Sequence, residues 1–130
     1  MGDFTVKNLK EVEDAASKFG MPSGIEAHFA RKDLEFEGSG LSYQRFEPGF
    51  RMPFGHRHAR QEEVYVVVNG SGRMKLDDEI VELRQWDAIR VDHETMRAFE
   101  AGADGAELLA FGAPADGTND AQMTADWWSD

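Results

Sequence analysis

The chain of 130 residues carries 25 acidic and 14 basic side chains, a formal charge of −11 at pH 7, and no cysteine. A length of this order holds one domain around one core, the lack of cysteine removes disulfides, thiolate ligands and a cysteine nucleophile, and the negative field repels phosphate backbones and anionic lipids. Nucleic acid is therefore not an expected partner, and neither is a membrane. No apolar run approaches the roughly 20 residues that span a bilayer, and the start, Met1-Gly2-Asp3-Phe4-Thr5-Val6-Lys7, lacks the basic-then-apolar order of an export signal, so a soluble, cytoplasmic protein is expected.

Val6, Leu9, Val12, Ala16 and Phe19 recur at helical spacing, Asn8 precedes Glu11 by three as a cap, and Gly20 supplies a stop. This predicts a short amphipathic helix near residues 9–18, within an N-terminal arm of residues 1–24. From residue 25 the texture changes to short runs that read as strands: Ile25–Ala30, Leu41–Phe46, Val64–Asn69, Gly72–Leu76, Glu79–Leu83, Ala88–Val91 and Ala106–Phe111. Turn formers separate them, at Gly38-Ser39-Gly40, Pro48-Gly49, Asn69-Gly70 with Gly72, Asp77-Asp78 and Gly102-Ala103-Asp104-Gly105. Short strands with such connections predict an all-β, antiparallel sandwich or barrel over residues 25–112, not a parallel sheet with crossover helices. Residues 113–130 lose the apolar periodicity, hold four aspartates and no lysine or arginine, and read as an acidic C-terminal tail. Its Trp127-Trp128 pair can anchor it on the barrel or on a partner subunit.

The chemistry concentrates in the run from Gly55 to Gly70. His56 and His58 stand two apart on an extended segment, so both side chains point to one face, and Glu63 can fold back beside them. Two imidazoles and one carboxylate leave positions open on an ion. That set suits iron, manganese, nickel, copper or zinc better than magnesium or calcium, so one divalent metal on His56, His58 and Glu63 is the expected cofactor. Glu62 is the substitute ligand if the register slips by one. His28 reads as a surface residue on a strand, and Tyr43, Arg45, Phe54 and Tyr65 as cavity lining or as packing. There is no Ser-His-Asp order and no glycine-rich phosphate loop before a helix.

Gly49, His56, His58, Glu63 and Gly70 resemble the first motif of the cupin superfamily, G-x5-H-x-H-x3,4-E-x6-G, with six residues instead of five between Gly49 and His56. The resemblance implies a small jelly-roll β-barrel with the two histidines and the glutamate projecting inward onto a divalent metal. The second motif of that family falls on Trp86–Phe99, where Asp87 and the apolar alternation match. Trp86, Asp92 and Glu94 stand where the family has glycine, proline and glycine, Ala101 replaces its asparagine, and Arg97 replaces its fourth ligand, a histidine. His93 is an alternative fourth ligand, although the motif puts it in the turn and off the inward strand position.

A guanidinium stays protonated and only donates, so Arg97 cannot ligate. Two arrangements follow. Either the metal sits on three residues, with Arg97 near the vacated place and ready for an anionic group of a ligand, or Arg97 pairs with Glu63 and the pocket works without metal. The implied function is metal-dependent dioxygenase or isomerase chemistry on a small, anionic molecule, or a non-catalytic binding or sensing module. Fold alone does not choose between them. Small cupins commonly pair and sheet edges need cover, so a homodimer is expected, with contacts from the N-terminal arm and Trp127-Trp128.

Overall fold

Between Glu62 and Leu76 alternate side chains turn inward, with Tyr65, Val67 and Met74 at 5%, 0% and 1% exposure, and the whole stretch is one strand. The structure, a computed structural model, describes residues 2–130. In chain order the strands are β1 (Ile25–Phe29), β2 (Gly40–Phe46), β3 (Gly55–His58), β4 (Glu62–Leu76), β5 (Glu79–Leu83), β6 (Ala88–Val91), β7 (Arg97–Ala113) and β8 (Ala121–Thr124). They form one antiparallel sheet in the order β1-β2-β7-β3-β8, with β4 paired to β5, β6 and β7. The sheet curls into a half-closed barrel around Val67, Met74, Val91, Phe99 and Leu108, each at most 5% exposed. Burying side chains of this size is worth about 1.5–3 kcal/mol apiece.

Two expected turns lie inside long strands. Asn69-Gly70 falls within β4 and Gly102–Gly105 within β7, and the β4–β7 register shifts at Val67/Asn69 and at Gly70/Gly72. These are bulges. Gly70 and Gly105 take φ of +74° and +76° and lie against each other, bending both strands together where a hairpin would have ended them.

The predicted helix over residues 9–18 is absent. Leu9–Glu11 and Ser17–Phe19 are single 3-10 turns, because the chain between them is drawn out against β1. The Asp14 carboxylate accepts from the backbone N–H groups of Ala16 and Ala27, both at 3.0 Å, and Asp14 bridges to His28. Val12 and Ala16 are buried by this docking, at 4% exposure each. Backbone pairing with an existing strand edge outcompetes a short helix whose nucleation is costly.

Residues 113–130 are also more than a tail. β8 pairs with β3, and beyond it Trp127 Nε1 donates to the Lys75 carbonyl at 3.4 Å while Lys75 Nζ donates to the Trp127 carbonyl at 2.6 Å. Trp128 Nε1 donates to the Met52 carbonyl at 2.8 Å, and Arg51 and Arg73 both pair with Asp130. Both tryptophans thus anchor the segment on its own barrel.

A Cβ on Gly70 would lie 2.1 Å from the Gly105 carbonyl oxygen, whereas one on Gly38 meets nothing within 4 Å. Gly70→Ala is expected to cost more than about 1 kcal/mol, read as a lower urea midpoint, with Gly38→Ala unchanged as the control. Equal midpoints would mean that the bulge is not fixed as described.

Candidate metal centre

Strand parity and one register position build the site. His56 and His58 lie on the inward face of β3, Glu63 enters at the start of β4, and the first residue of β7, Arg97, pairs directly with His56. One ligand atom from each of His56, His58 and Glu63 lies within 4.8 Å of the others, the only such group among the described residues. His56 Nε2 is 3.5 Å and His58 Nε2 3.2 Å from Glu63 Oε1.

His58 shows which nitrogen is free. Its Nδ1 is 2.6 Å from Asp120 Oδ1, and an ionised carboxylate only accepts, so in the neutral ring Nδ1 carries the proton and Nε2 the lone pair. Nε2 is buried and has no hydrogen-bond partner among the described residues, the approach to Glu63 being close but misaligned. A buried nitrogen with a lone pair aimed at a second imidazole and a carboxylate is the donor set of a borderline transition-metal ion, and the residues fit such an ion.

Arg97, 1% exposed, is the most deeply held charge in the site. Its Nη2 donates to Glu63 Oε1, its Nε to the Tyr65 hydroxyl at 3.3 Å, and its Nη1 to the carbonyls of Thr95 and Asp92 at 2.9 and 3.5 Å. Tyr65 in turn donates to the same Glu63 Oε1 at 2.6 Å. The pairing of Arg97 with Glu63 is therefore present, but it uses one oxygen: Oε2 accepts no hydrogen bond among the described residues. Four of the five guanidinium hydrogens are engaged, which leaves Arg97 one donor for a ligand.

Burial pushes the Glu63 carboxyl up, but His56, His58 and the Arg97 charge together outweigh it and hold the group well below the usual carboxylate range. Burial lowers His56, reinforced by Arg97 and opposed by Glu63. For His58 burial also acts downward, yet Glu63 and Asp120 win and raise it. Burial foremost, then the Glu63 charge, raises the Tyr65 phenol, which stays neutral as a donor.

These residues form the polar end of a cavity of about 370 Å³ whose remaining walls are largely apolar, among them Phe29, Phe46, Phe54, Met52 and Leu108. Pockets of ~300–1,000 Å³ with few polar groups are the usual form of small-molecule sites. Two other hollows, of about 410 and 380 Å³, contain none of the four site residues, so volume alone does not locate the chemistry. Gly117, Thr118, Asn119, Ala121 and Met123 close one side of the cavity.

The other sequence candidates separate cleanly. Glu62 is exposed and pairs with Arg90 at 3.3 Å, so the register does not slip. His93 stays in its turn, its backbone carbonyl accepting from His58 N at 2.8 Å, and lies outside the ligand group. His28 is not a surface residue: it is 5% exposed, bonded to the Val12 carbonyl at 2.6 Å and stacked on Tyr43. Tyr43 binds Glu107 and Arg45 pairs with Glu26, away from the site, while Phe54 and Tyr65 line the cavity. Asp120 escaped the sequence reading, and its only signal was membership of a four-aspartate segment.

The Glu63 carboxyl lies below its unfolded value of 4.5, so its stabilisation is present above that pH and is lost as the pH falls through the folded value. Glu63→Gln, which leaves Arg97 buried without a counter-charge, is expected to cost roughly 3–5 kcal/mol at neutral pH. In urea titrations the gap between variant and parent should narrow once the pH drops below about 4.5. A gap independent of pH would show that the pair contributes nothing through ionisation.

No sequence profile of a known family matches the chain, and no curated protein matches it. Solved structures do. A cupin protein from Bacteroides fragilis is 21% identical, with 92% of this chain and 91% of that one covered at a TM-score of 0.72. Pac13 from Streptomyces, a nucleoside dehydratase, is 19% identical over 98% and 94% at 0.71, and variants of it have been solved with uridine. Oxalate decarboxylase from Bacillus subtilis is 17% identical at 0.75, over 96% of this chain and 33% of that longer one. At such identities the likeness shows the fold alone, and that fold is cupin-like.

Proposed function

We propose that this protein holds one divalent transition metal on His56 Nε2, His58 Nε2 and a Glu63 oxygen, and takes a small, anionic molecule into the adjoining cavity. The observation that carries this reading is the buried, unpartnered Nε2 of His58, held with its lone pair inward by Asp120. A metal bound there would supply Lewis-acid polarisation of a carbonyl, or activation of water or dioxygen, as a dioxygenase or isomerase requires. The chain's own residues do the rest. Arg97 keeps Glu63 ionised and in place, Tyr65 fixes the same oxygen, and the apolar walls exclude water from the polar end. The remaining Arg97 hydrogen and its positive charge favour an anionic group on the bound molecule. Oxalate decarboxylase and the Pac13–uridine structures support small molecules as occupants of this kind of cavity.

The contact between Arg97 and Glu63 favours a second reading, a metal-free binding or sensing module in which the carboxylate serves the guanidinium alone. Calorimetry with iron, manganese, nickel, copper and zinc separates the two. On the metal reading one ion binds, His58→Ala abolishes binding, and Arg97→His tightens it by roughly tenfold, about 1.4 kcal/mol, by replacing a fixed positive charge with a neutral ligand. Absence of binding in the parent, or weaker binding in a folded Arg97→His variant, would overturn it. A module without metal would ignore a chelator and still gain thermal stability from its ligand.

A homodimer belongs to the same proposal. With both tryptophans turned inward, the exposed Phe4, Val6 and Phe19 of the first twenty residues, at 77%, 86% and 56%, are the apolar surface that a second copy would cover. Sedimentation equilibrium is expected to return twice the 14.6 kDa chain mass; a monomer at tens of micromolar would end that claim. No helix among the described residues is long and apolar enough to cross a membrane, and a cytoplasmic location completes the proposal.

A further inference from the structure

Asp120 is held more firmly than a residue of an acidic tail. Its Oδ2 accepts from the backbone N–H groups of Arg60 and Gln61 at 3.1 and 3.3 Å, and its carbonyl accepts from Ala59 N at 3.1 Å. The next residue, Ala121, pairs with His58 in the β3–β8 register. Strand pairing and three backbone contacts therefore aim Oδ1 at His58 Nδ1, 2.6 Å away. A second group competes for that nitrogen: Gln61 Nε2 stands 3.3 Å from it. The two partners demand opposite rings. A carboxylate needs a proton on Nδ1, whereas an amide N–H needs the lone pair there, which sends the proton to Nε2 and into the cavity. The shorter, charge-assisted bond prevails.

We propose that Asp120 is a positioning residue that selects the His58 tautomer with its Nε2 lone pair facing the cavity, and that β8 is thereby an integral part of the site. The consequence for metal rests on the reading of the site given under Proposed function; the choice of tautomer does not. Among the described residues nothing else performs this task. Gln61 works against it, and the Glu63 oxygen near Nε2 is misaligned for a hydrogen bond. The same segment also supplies Gly117, Thr118, Asn119 and Met123 to the cavity wall, so one docked strand both encloses the cavity and orients one of its ligands.

Asp120→Asn is the sharp variant, since it preserves shape and inverts the demand. Its amide oxygen must face the two N–H groups of Arg60 and Gln61, which turns its NH2 toward His58 Nδ1. Long-range ¹H–¹⁵N spectra of histidine-labelled, metal-free protein, recorded at mildly alkaline pH, read the tautomer directly. The parent is expected to show His58 protonated on Nδ1, and Asp120→Asn protonated on Nε2. Calorimetry with zinc is expected to show roughly 10- to 100-fold weaker binding in the variant. Asp120→Ala should give the same inversion through Gln61, and Asp120→Ala/Gln61→Ala should restore part of the affinity. A parent ring protonated on Nε2, or an Asp120→Asn protein that keeps the parent spectrum and zinc affinity, would overturn the proposal. Spectra that invert as expected in a protein that binds no metal would uphold the role of Asp120 and refute the metal centre alone.

Discussion

The buried charge of Arg97 is the constraint around which the site is arranged. A guanidinium at 1% exposure is tolerable only if its hydrogens are bonded and a counter-charge stands beside it. Thr95 and Asp92 supply carbonyls, Tyr65 an oxygen, and Glu63 the charge. Because Glu63 must face Arg97, it also faces His56 and His58, and its carboxyl is held ionised where burial alone would neutralise it. The feature that departs most from the resembled motif thus fixes the geometry of the residues that keep to it.

The curl of the sheet is what lets those residues meet. β4 and β7 are long, and the bulges at Gly70 and Gly105 bend them together so that β3 can close over β7 at the His56–Arg97 pair. A flat sheet of the same strands would leave the two histidines facing solvent. The price of the enclosure is a cavity in place of packed core, and the aromatic and methionine side chains around it leave room for a ligand of modest size.

The segment after β7 links stability to the site. Its far end is pinned by the two tryptophans, Lys75 and the Arg51–Arg73–Asp130 cluster, while its near end presents Asp120 to His58. Gly55 belongs to this arrangement: a Cβ there would lie 2.8 Å from the Trp127 ring, so only a glycine at the head of β3 lets the last residues pack down. Docking of that stretch and the orientation of one imidazole are mechanically the same event.

Strand alternation and ligand parity were legible in the chain because both are local: period-two patterning pairs His56 with His58 on one face of β3, and Tyr65 with Val67 on one face of β4, whatever the rest of the fold does. The spacing from His58 to Glu63 likewise singled out Glu63 over Glu62, which lies exposed and paired with Arg90. What depended on distant partners was not legible. A glycine pair reads as a turn until a neighbouring strand continues past it, and a helical period near residue 12 yields when the Asp14 carboxylate finds the backbone of β1. Asp120 lies 62 positions from His58, and only the β3–β8 register brings them together. The sequence by itself determined the β class, the inward faces and three candidate ligands, since these follow from neighbours along the chain. Tertiary structure alone decided which nitrogen of His58 is free, which oxygen of Glu63 is engaged and where the last eighteen residues go, because each is set by a contact between strands far apart in sequence.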